Sequence, residues 1–374
     1  MNTLCRTDVL RLLRPGDSPG DTGDVVVASP RRSKSLSHCT MPFCIGRCPA
    51  ACCSGKSQAP AAAEEEGSRN GNAALLAAFC AQPDDVVVAT PPKSGSTILL
   101  EICHLVRTQG TRVAGRSQIT DMPWIDLPVR LYREHCPPWR APHDAEPRVF
   151  KTHGGWGKVR RCGPCRKITC WRDPVDVMLS SFHFMLPLSG LTPGDDVSLS
   201  TFCRVFIHGH GRYLRSYCAD LIEWWEHRHD PDVLFLLFDE VVQHKPAAIQ
   251  RVAAFMGCEA DVALVALVAK MTSHAAMRAD RGRFNDDALL APSLWRRRGD
   301  VPVPLAGKVR ADGGISGQGA EQVPAWAVKE VQRVWTATVA KATGLTTFAA
   351  LSELRSAELR RARSRSAERP PRGV

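Results

Sequence analysis

Residues 84–97 read DDVVVATPPKSGST, and this stretch decides the fold. Val86, Val87, Val88 and Ala89 form a short unbroken apolar run, the mark of a buried strand. Pro91, Pro92 and Gly95 make the turn after it. From Ser96 onward Ile98, Leu99, Leu100 and Leu105 give a helical pattern that predicts a helix over 96–107. A strand that feeds a Gly-containing loop and a helix start can hold an anion. The first N–H groups of a helix lack partners, and the helix dipole is positive there. Lys93 adds a mobile charge, and Ser94, Ser96 and Thr97 add hydroxyl donors.

The loop differs from the ATPase pattern GxxxxGK[ST], because Lys93 precedes Gly95 by two residues. A looser copy of that pattern, with Ala50 followed by Gly55, Lys56 and Ser57, has no apolar strand before it and no helical run after it. We read it as chance.

The other strand ends point to the same crevice. Residues 148–153, RVFKTH, read as a strand that ends on Lys151 and His153, two apart and therefore on one face. Residues 168–171 read as a further strand, ending at Arg172, Asp173 and Pro174. Asp173 fits an N-cap and Pro174 a first helical position, predicting a helix over 175–184. Arg172 has the planar donors that suit a phosphate. Residues 232–238, DVLFLLF, predict a buried strand, 245–256 a helix, 198–226 one long helix, and 324–343 a closing amphipathic helix. A short helix is expected over 73–81, an irregular stretch with an exposed Trp124 over 119–125, and a flexible cover over 295–319. Alternating strands and helices argue an α/β fold: a single domain with a central parallel sheet flanked by helices.

Composition bounds the rest. The 374 residues, 44% of them hydrophobic, suffice for one large domain with a real core. No apolar run reaches the roughly 18–20 residues that span a bilayer, and no secretory h-region opens the chain. The net charge of +11 is uneven: +2 lies in residues 1–70, +5 in 355–374, and only +4 in the 284 residues between. That mild charge suits a polyanionic small ligand and gives little support to nucleic-acid binding. The 15 cysteines are expected to be free thiols. Cys39, Cys44, Cys48, Cys52 and Cys53 lack the paired spacing of a zinc site. Cys162-Gly163-Pro164-Cys165 has the spelling of a redox motif but reads as a turn between a basic run and a strand. The expected organisation is a disordered or targeting leader over 1–70, the domain over 71–345, and a basic helical or disordered tail over 346–374, solvated over 355–374. Cytoplasmic placement is expected, with organelle targeting by residues 1–70 left open.

TPPKSGST resembles the 5′-phosphosulfate loop of the cytosolic-type sulfotransferases, which use 3′-phosphoadenosine 5′-phosphosulfate (PAPS). From about residue 84 to 319 further landmarks fall in that family's order. K-T-H at Lys151 to His153 is similar to the strand that carries the family's catalytic base. RDPVDVMLSSFHF, from Arg172, resembles R-N-P-x-D-x-x-x-S-x-x-x-F, whose Arg and Ser hold the 3′-phosphate; here these are Arg172 and Ser180. The strand ending at Phe238 resembles the one beside the nucleotide. TSHAAM, with Thr272 and Met277, resembles an adenine contact. The chain departs from the pattern at Ile98, where the family has Trp, at Phe238 for Tyr, at Asp173 for Asn, and at His274 for Phe. Arg310 and Gly313 lie in the best stand-in for a C-terminal R-K-G.

The resemblance implies sulfuryl transfer from PAPS to a hydroxyl or amine of a small-molecule acceptor. His153 would act as general base, Lys93 and Lys151 would neutralise the leaving group, and Ser94, Gly95, Ser96 and Thr97 would hold the 5′-phosphate, with no metal required. Trp124, Trp139 and Met185 are the expected lining of an apolar acceptor pocket. Two other readings stand beside this one. One is a nucleotide or small-molecule kinase on a related P-loop fold. The other is a catalytically degenerate sulfotransferase fold that serves as a binding protein.

Overall fold

The computed structural model describes residues 79–126, 143, 145–188, 191–209, 213–284, 297–298, 301–302, 308–310 and 316–367. These all belong to one compact unit. The leader over 1–70 lies outside the described residues, as does most of the expected cover.

Its centre is a four-stranded parallel sheet of β1 (Val86–Ala89), β2 (Val149–Thr152), β3 (Arg166–Trp171) and β4 (Val233–Leu237), in the order β2-β1-β3-β4. Val88 pairs with Lys151 on one side and Ile168 on the other, so β1 is central. Helices cover the sheet as the strand–helix alternation requires. Helix α1 (Ser96–Arg107) follows β1, and α2 is a single turn, Gln118–Asp121. Next come α3 (Trp156–Val159), α4 (Pro174–Leu188), α5 (Leu199–His208) and α6 (Tyr213–Glu226). After β4 come α7 (Phe238–Gln243), α8 (Lys245–Met256), α9 (Val262–Met271) and α10 (His274–Ala279). A two-stranded ribbon pairs β5 (Arg297–Arg298) with β6 (Val301–Pro302). The chain ends in α11 (Gln318–Gln322), α12 (Ala325–Trp335), a π-helical turn Thr336–Ala340, α13 (Lys341–Thr343) and α14 (Phe348–Ala367).

Alternation along β1 divides the core. Val86 and Val88 join Leu99, Ile102 and Leu105 of α1 and Ile249 and Val252 of α8 on one face. On the other side Trp171 meets Tyr217 edge-on, and Trp225 meets Phe235. Burial of these side chains is what fixes the helices on the sheet. Behind α1 a charged cluster is fully partnered at its centre. Glu101 accepts from Arg112 and Arg283 at 2.7 Å each and from Gln118 at 3.0 Å, and Arg283 also donates to Asp121 at 2.9 Å.

Several expectations need correction. The long helix expected over 198–226 ends at His208, where Gly209 leaves the helical conformation at ψ 160°, and restarts at Tyr213. The strand over 232–238 stops at Leu237, and Phe238 instead opens α7. Of the helix expected over 73–81, residues 73–78 lie outside the described residues and 79–81 carry no helix; Ala81 N–H donates to the Cys162 carbonyl at 2.6 Å. Within 119–125 only 119–121 are regular, as part of α2; the irregular remainder makes one isolated bridge beside β2, with Lys151 N–H donating to Pro123 O and Ile125 N–H to Lys151 O. Trp124 is accordingly half-buried rather than exposed. The stretch 355–374 is not wholly solvated either: Arg355 of α14 is buried and donates to the Phe235 carbonyl of β4 at 2.9 Å. Cys162 and Cys165 are buried free thiols in a turn, and burial pushes them up to about 12 and about 11. Among the described residues no helix is long and apolar enough to cross a membrane.

Candidate active site

Strand order places the site. The chain leaves β1 toward β2, then crosses back to β3 and β4 on the opposite side. Ligands in such open sheets gather at the carboxyl ends of the strands where that direction reverses. The β1 and β3 ends carry the Lys93 loop and Arg172.

The loop is built for close approach of backbone to an anion. Ser94 N–H donates to Pro91 O at 3.2 Å to close the turn, and Gly95 caps α1 in the left-handed region at φ 100°. No side chain caps the helix start, and its first turn holds no acidic residue. Its leading N–H groups are therefore open to an incoming acceptor. Ser94 is fully buried, and its hydroxyl has no hydrogen-bond partner among the described residues. Lys93 itself sits at φ 66°, unusual for a residue with a side chain.

Cations converge on this loop. Lys93 Nζ lies 3.6 Å above the Phe184 ring. Withdrawal from water lowers its pKa to about 7, and Lys308, Lys151, Arg172 and Arg310 push it the same way. Lys151 is buried on β2 with its Nζ 3.6 Å above Trp124. Arg172 is buried after β3, its guanidinium 4.5 Å from the Phe238 ring centroid and 3.4 Å from Asp176 Oδ2. Phe238 in turn leans on Gly95. Ser180 is buried on α4, one turn beyond Asp176 on the same face. Asp173 Oδ1 accepts from Val175 N–H at 2.8 Å, the cap that the sequence predicts.

His153 follows β2 and lines a small cleft with Ala89, Thr90, Pro91, Gly154, Gly155, Trp171, Asp220 and Trp224. Its Nδ1 is 2.7 Å from the Thr90 carbonyl oxygen. A carbonyl only accepts, so Nδ1 carries the ring hydrogen and Nε2 keeps its lone pair. Burial, then Lys151, hold its pKa well below the usual histidine value. Its backbone N–H donates to Asp126 Oδ2 at 3.1 Å, and Trp124 meets the ring edge-on at 4.9 Å.

Other predicted residues lie further out. Thr272 is buried and donates its hydroxyl to Val268 O at 2.7 Å, back into α9. Met277 is buried on α10. Arg310 is joined to α10 through its carbonyl, which accepts from His274 Nε2 at 2.8 Å. Gly313 and Trp139 lie outside the described residues. Met185 is half-buried on α4 and does not line the cleft, whereas Trp224, read as core, does both.

Several residues were missed. Asp176 accepts from Gly317 and Gly319 N–H at 2.8 and 2.7 Å and so ties the end of the cover segment beside Arg172. Ser316 donates to Asp239 nearby. Asp126 and Asp220 also went unremarked. Only Asp176 carried a signal, its i,i+4 spacing from Arg172 at a helix start.

The model of the sulfotransferase domain family matches residues 83–288. The chain belongs to that family. Mouse Sulfotransferase 4A1 (Mus musculus) is 27% identical over 190 residues, covering 46% of this chain and 59% of the relative. Bovine Sulfotransferase 1E1 (Bos taurus) is 26% identical over 197 residues, 50% of this chain and 63% of the relative. The chain thus spans about three fifths of the length of these relatives. Among solved structures, mouse sulfotransferase SULT7A1 complexed with PAP superposes with a TM-score of 0.56 at 21% identity. That match covers 77% of this chain and 95% of the other, and bears out the sulfotransferase fold. The matched family region spans the loop, β2, β3 and α10, so Lys93, Lys151, His153, Arg172 and Thr272 all lie within it.

Proposed function

We propose that this protein transfers a sulfuryl group from PAPS to a hydroxyl or amine of a small-molecule acceptor, with His153 as general base. One observation carries the reading: Lys93, Lys151 and Arg172 stand at neighbouring strand ends around one anion-holding loop, and the Lys93 pKa, lowered first by burial, is pushed further by Lys308, Lys151, Arg172 and Arg310. A bound polyanion would be favoured by that concentration of positive charge. The buried, unpartnered Ser94 hydroxyl and the uncapped helix start fit a phosphate at the same place.

When bound, PAPS supplies the sulfuryl group, and its S–O bond to the 5′-phosphate is the one that breaks. Ser94, Gly95, Ser96 and Thr97 hold the 5′-phosphate through backbone and hydroxyl donors. Arg172 and Ser180, with Arg310, hold the 3′-phosphate. Phe238 supplies an aromatic face, and Thr272 and Met277 shape the adenine side through packing. Lys93 and Lys151 stabilise the charge that grows on the leaving oxygen, the kind of preorganised term worth roughly 10²–10³ in rate per donor. His153 takes the acceptor proton on Nε2 while Thr90 fixes the ring.

A radiolabelled sulfate-transfer screen across phenols, sterols, amines and sugars tests this directly. Calorimetry should give tight binding of adenosine 3′,5′-bisphosphate and weak binding of ATP–Mg²⁺. The reverse preference would support the kinase reading. Bisphosphate binding without transfer to any acceptor would support the degenerate fold.

A further inference from the structure

The cleft beside His153 is aromatic and apolar over much of its wall, yet it holds a carboxylate. Asp220, on α6, lines it with Ala89, Pro91, Trp171 and Trp224. Among the described residues no hydrogen bond or ion pair holds that carboxylate. Burial raises its pKa to about 6, and Glu223 adds to the shift while Lys158 opposes it. Asp220 is half-buried, so its carboxylate faces the cleft partly withdrawn from water and can still meet an incoming charge.

Backbone nearby makes room for it. An ideal Cβ on Gly155 would lie 2.2 Å from Asp220 Oδ1. Gly155 has φ −69° and ψ 172°, a conformation open to any residue. The glycine is therefore needed for space and not for conformation. Two more lining residues carry buried polar atoms that have no partner among the described residues: Thr90 Oγ1 and Trp171 Nε1. A carboxylate on an otherwise largely apolar wall suits a cation.

We propose that Asp220 recognises the acceptor and that the acceptor is cationic: an amine-bearing phenol or alcohol whose ammonium meets Asp220 while its hydroxyl meets His153. The proposal rests on the sulfuryl-transfer reading above and narrows its substrate class. It differs from the apolar pocket expected from the sequence.

Tyramine and its uncharged counterpart p-propylphenol test it. Each is titrated calorimetrically into the full chain saturated with adenosine 3′,5′-bisphosphate and, in parallel, into nucleotide-free protein. Wild-type protein should bind tyramine about tenfold or more tighter than p-propylphenol, the scale of a charge-assisted hydrogen bond. Asp220→Asn should bring the two within about twofold. Gly155→Ala displaces the carboxylate without removing it and should erode the same preference, which keeps the test decisive if Asp220→Asn does not fold. Equal affinities in the wild type, a preference that survives both variants, or binding of neither phenol would overturn the proposal. Failure of the bisphosphate to bind would count against the sulfuryl-transfer reading alone, since the nucleotide-free titrations still answer the Asp220 question.

Discussion

The ring of Phe238 fills the space that a side chain on Gly95 would need: a Cβ there would lie 2.7 Å from Phe238 Cδ2. On the same ring rests the Arg172 guanidinium. Loop, aromatic and arginine therefore form one stack, and the loop cannot shift without moving the arginine. Gly95 also needs its positive φ. Gly95→Ala should cost about 1–3 kcal/mol in denaturant unfolding. It should also weaken adenosine 3′,5′-bisphosphate at least about tenfold by calorimetry. Unchanged affinity would show that the stack does not shape the anion site.

His153 is held neutral below the ordinary histidine range. The base form therefore persists as pH falls, and the acid limb of the transfer rate should lie below pH ~6.5. His153→Ala should lose about 10²–10⁴ in rate while keeping the nucleotide. A pH–rate profile with its acid limb above that value would contradict the burial argument.

Lys93 is poised near neutrality at about 7. At pH 7.5 roughly three quarters of it is uncharged in the empty protein. A bound polyanion favours the ammonium, so binding should take up as much as about three quarters of a proton. Titrations in buffers of different ionisation enthalpy measure this uptake. Lys93→Met should remove most of it; uptake that survives would assign the proton elsewhere.

Arg172 is expected to read the 3′ group. Arg172→Ala should weaken adenosine 3′,5′-bisphosphate by about 10²-fold and adenosine 5′-phosphate by far less. Equal losses would show that this arginine only supports the fold through Asp176 and Phe238.

The C-terminal helix should matter unevenly along its length. Arg355 reaches Phe235 O, and its Nε lies 3.4 Å from Glu240 Oε1. Arg355→Ala removes one donor each from the Phe235 carbonyl and Glu240, which both keep Arg251, and should cost roughly 1–3 kcal/mol. Removing residues 368–374 should leave the unfolding midpoint unchanged. A midpoint equally low in both would show that the tail acts as a whole.

The fold was legible where local pattern and burial agree. The valines of β1, the apolar stripe of α1 and the Asp173 cap declare themselves in a few consecutive residues. Trp124 did not, because its place depends on Pro123 and Ile125 pairing with Lys151, a long-range register that no local pattern encodes. Asp126, Asp176 and Asp220 read like any solvated carboxylate until the neighbouring elements are packed around them. Arg355 was hidden among arginines of the same stretch, since one buried guanidinium and several solvated ones have the same spelling.

Strand order gives the crevice an origin separate from its chemistry. The reversal between β1 and β3 is written in how the backbone crosses over, not in Lys93 or Arg172. Substituting those cations would change what is held there and leave the notch where it is. A chain with this connectivity thus keeps an address for ligands even after its original tenant can no longer bind.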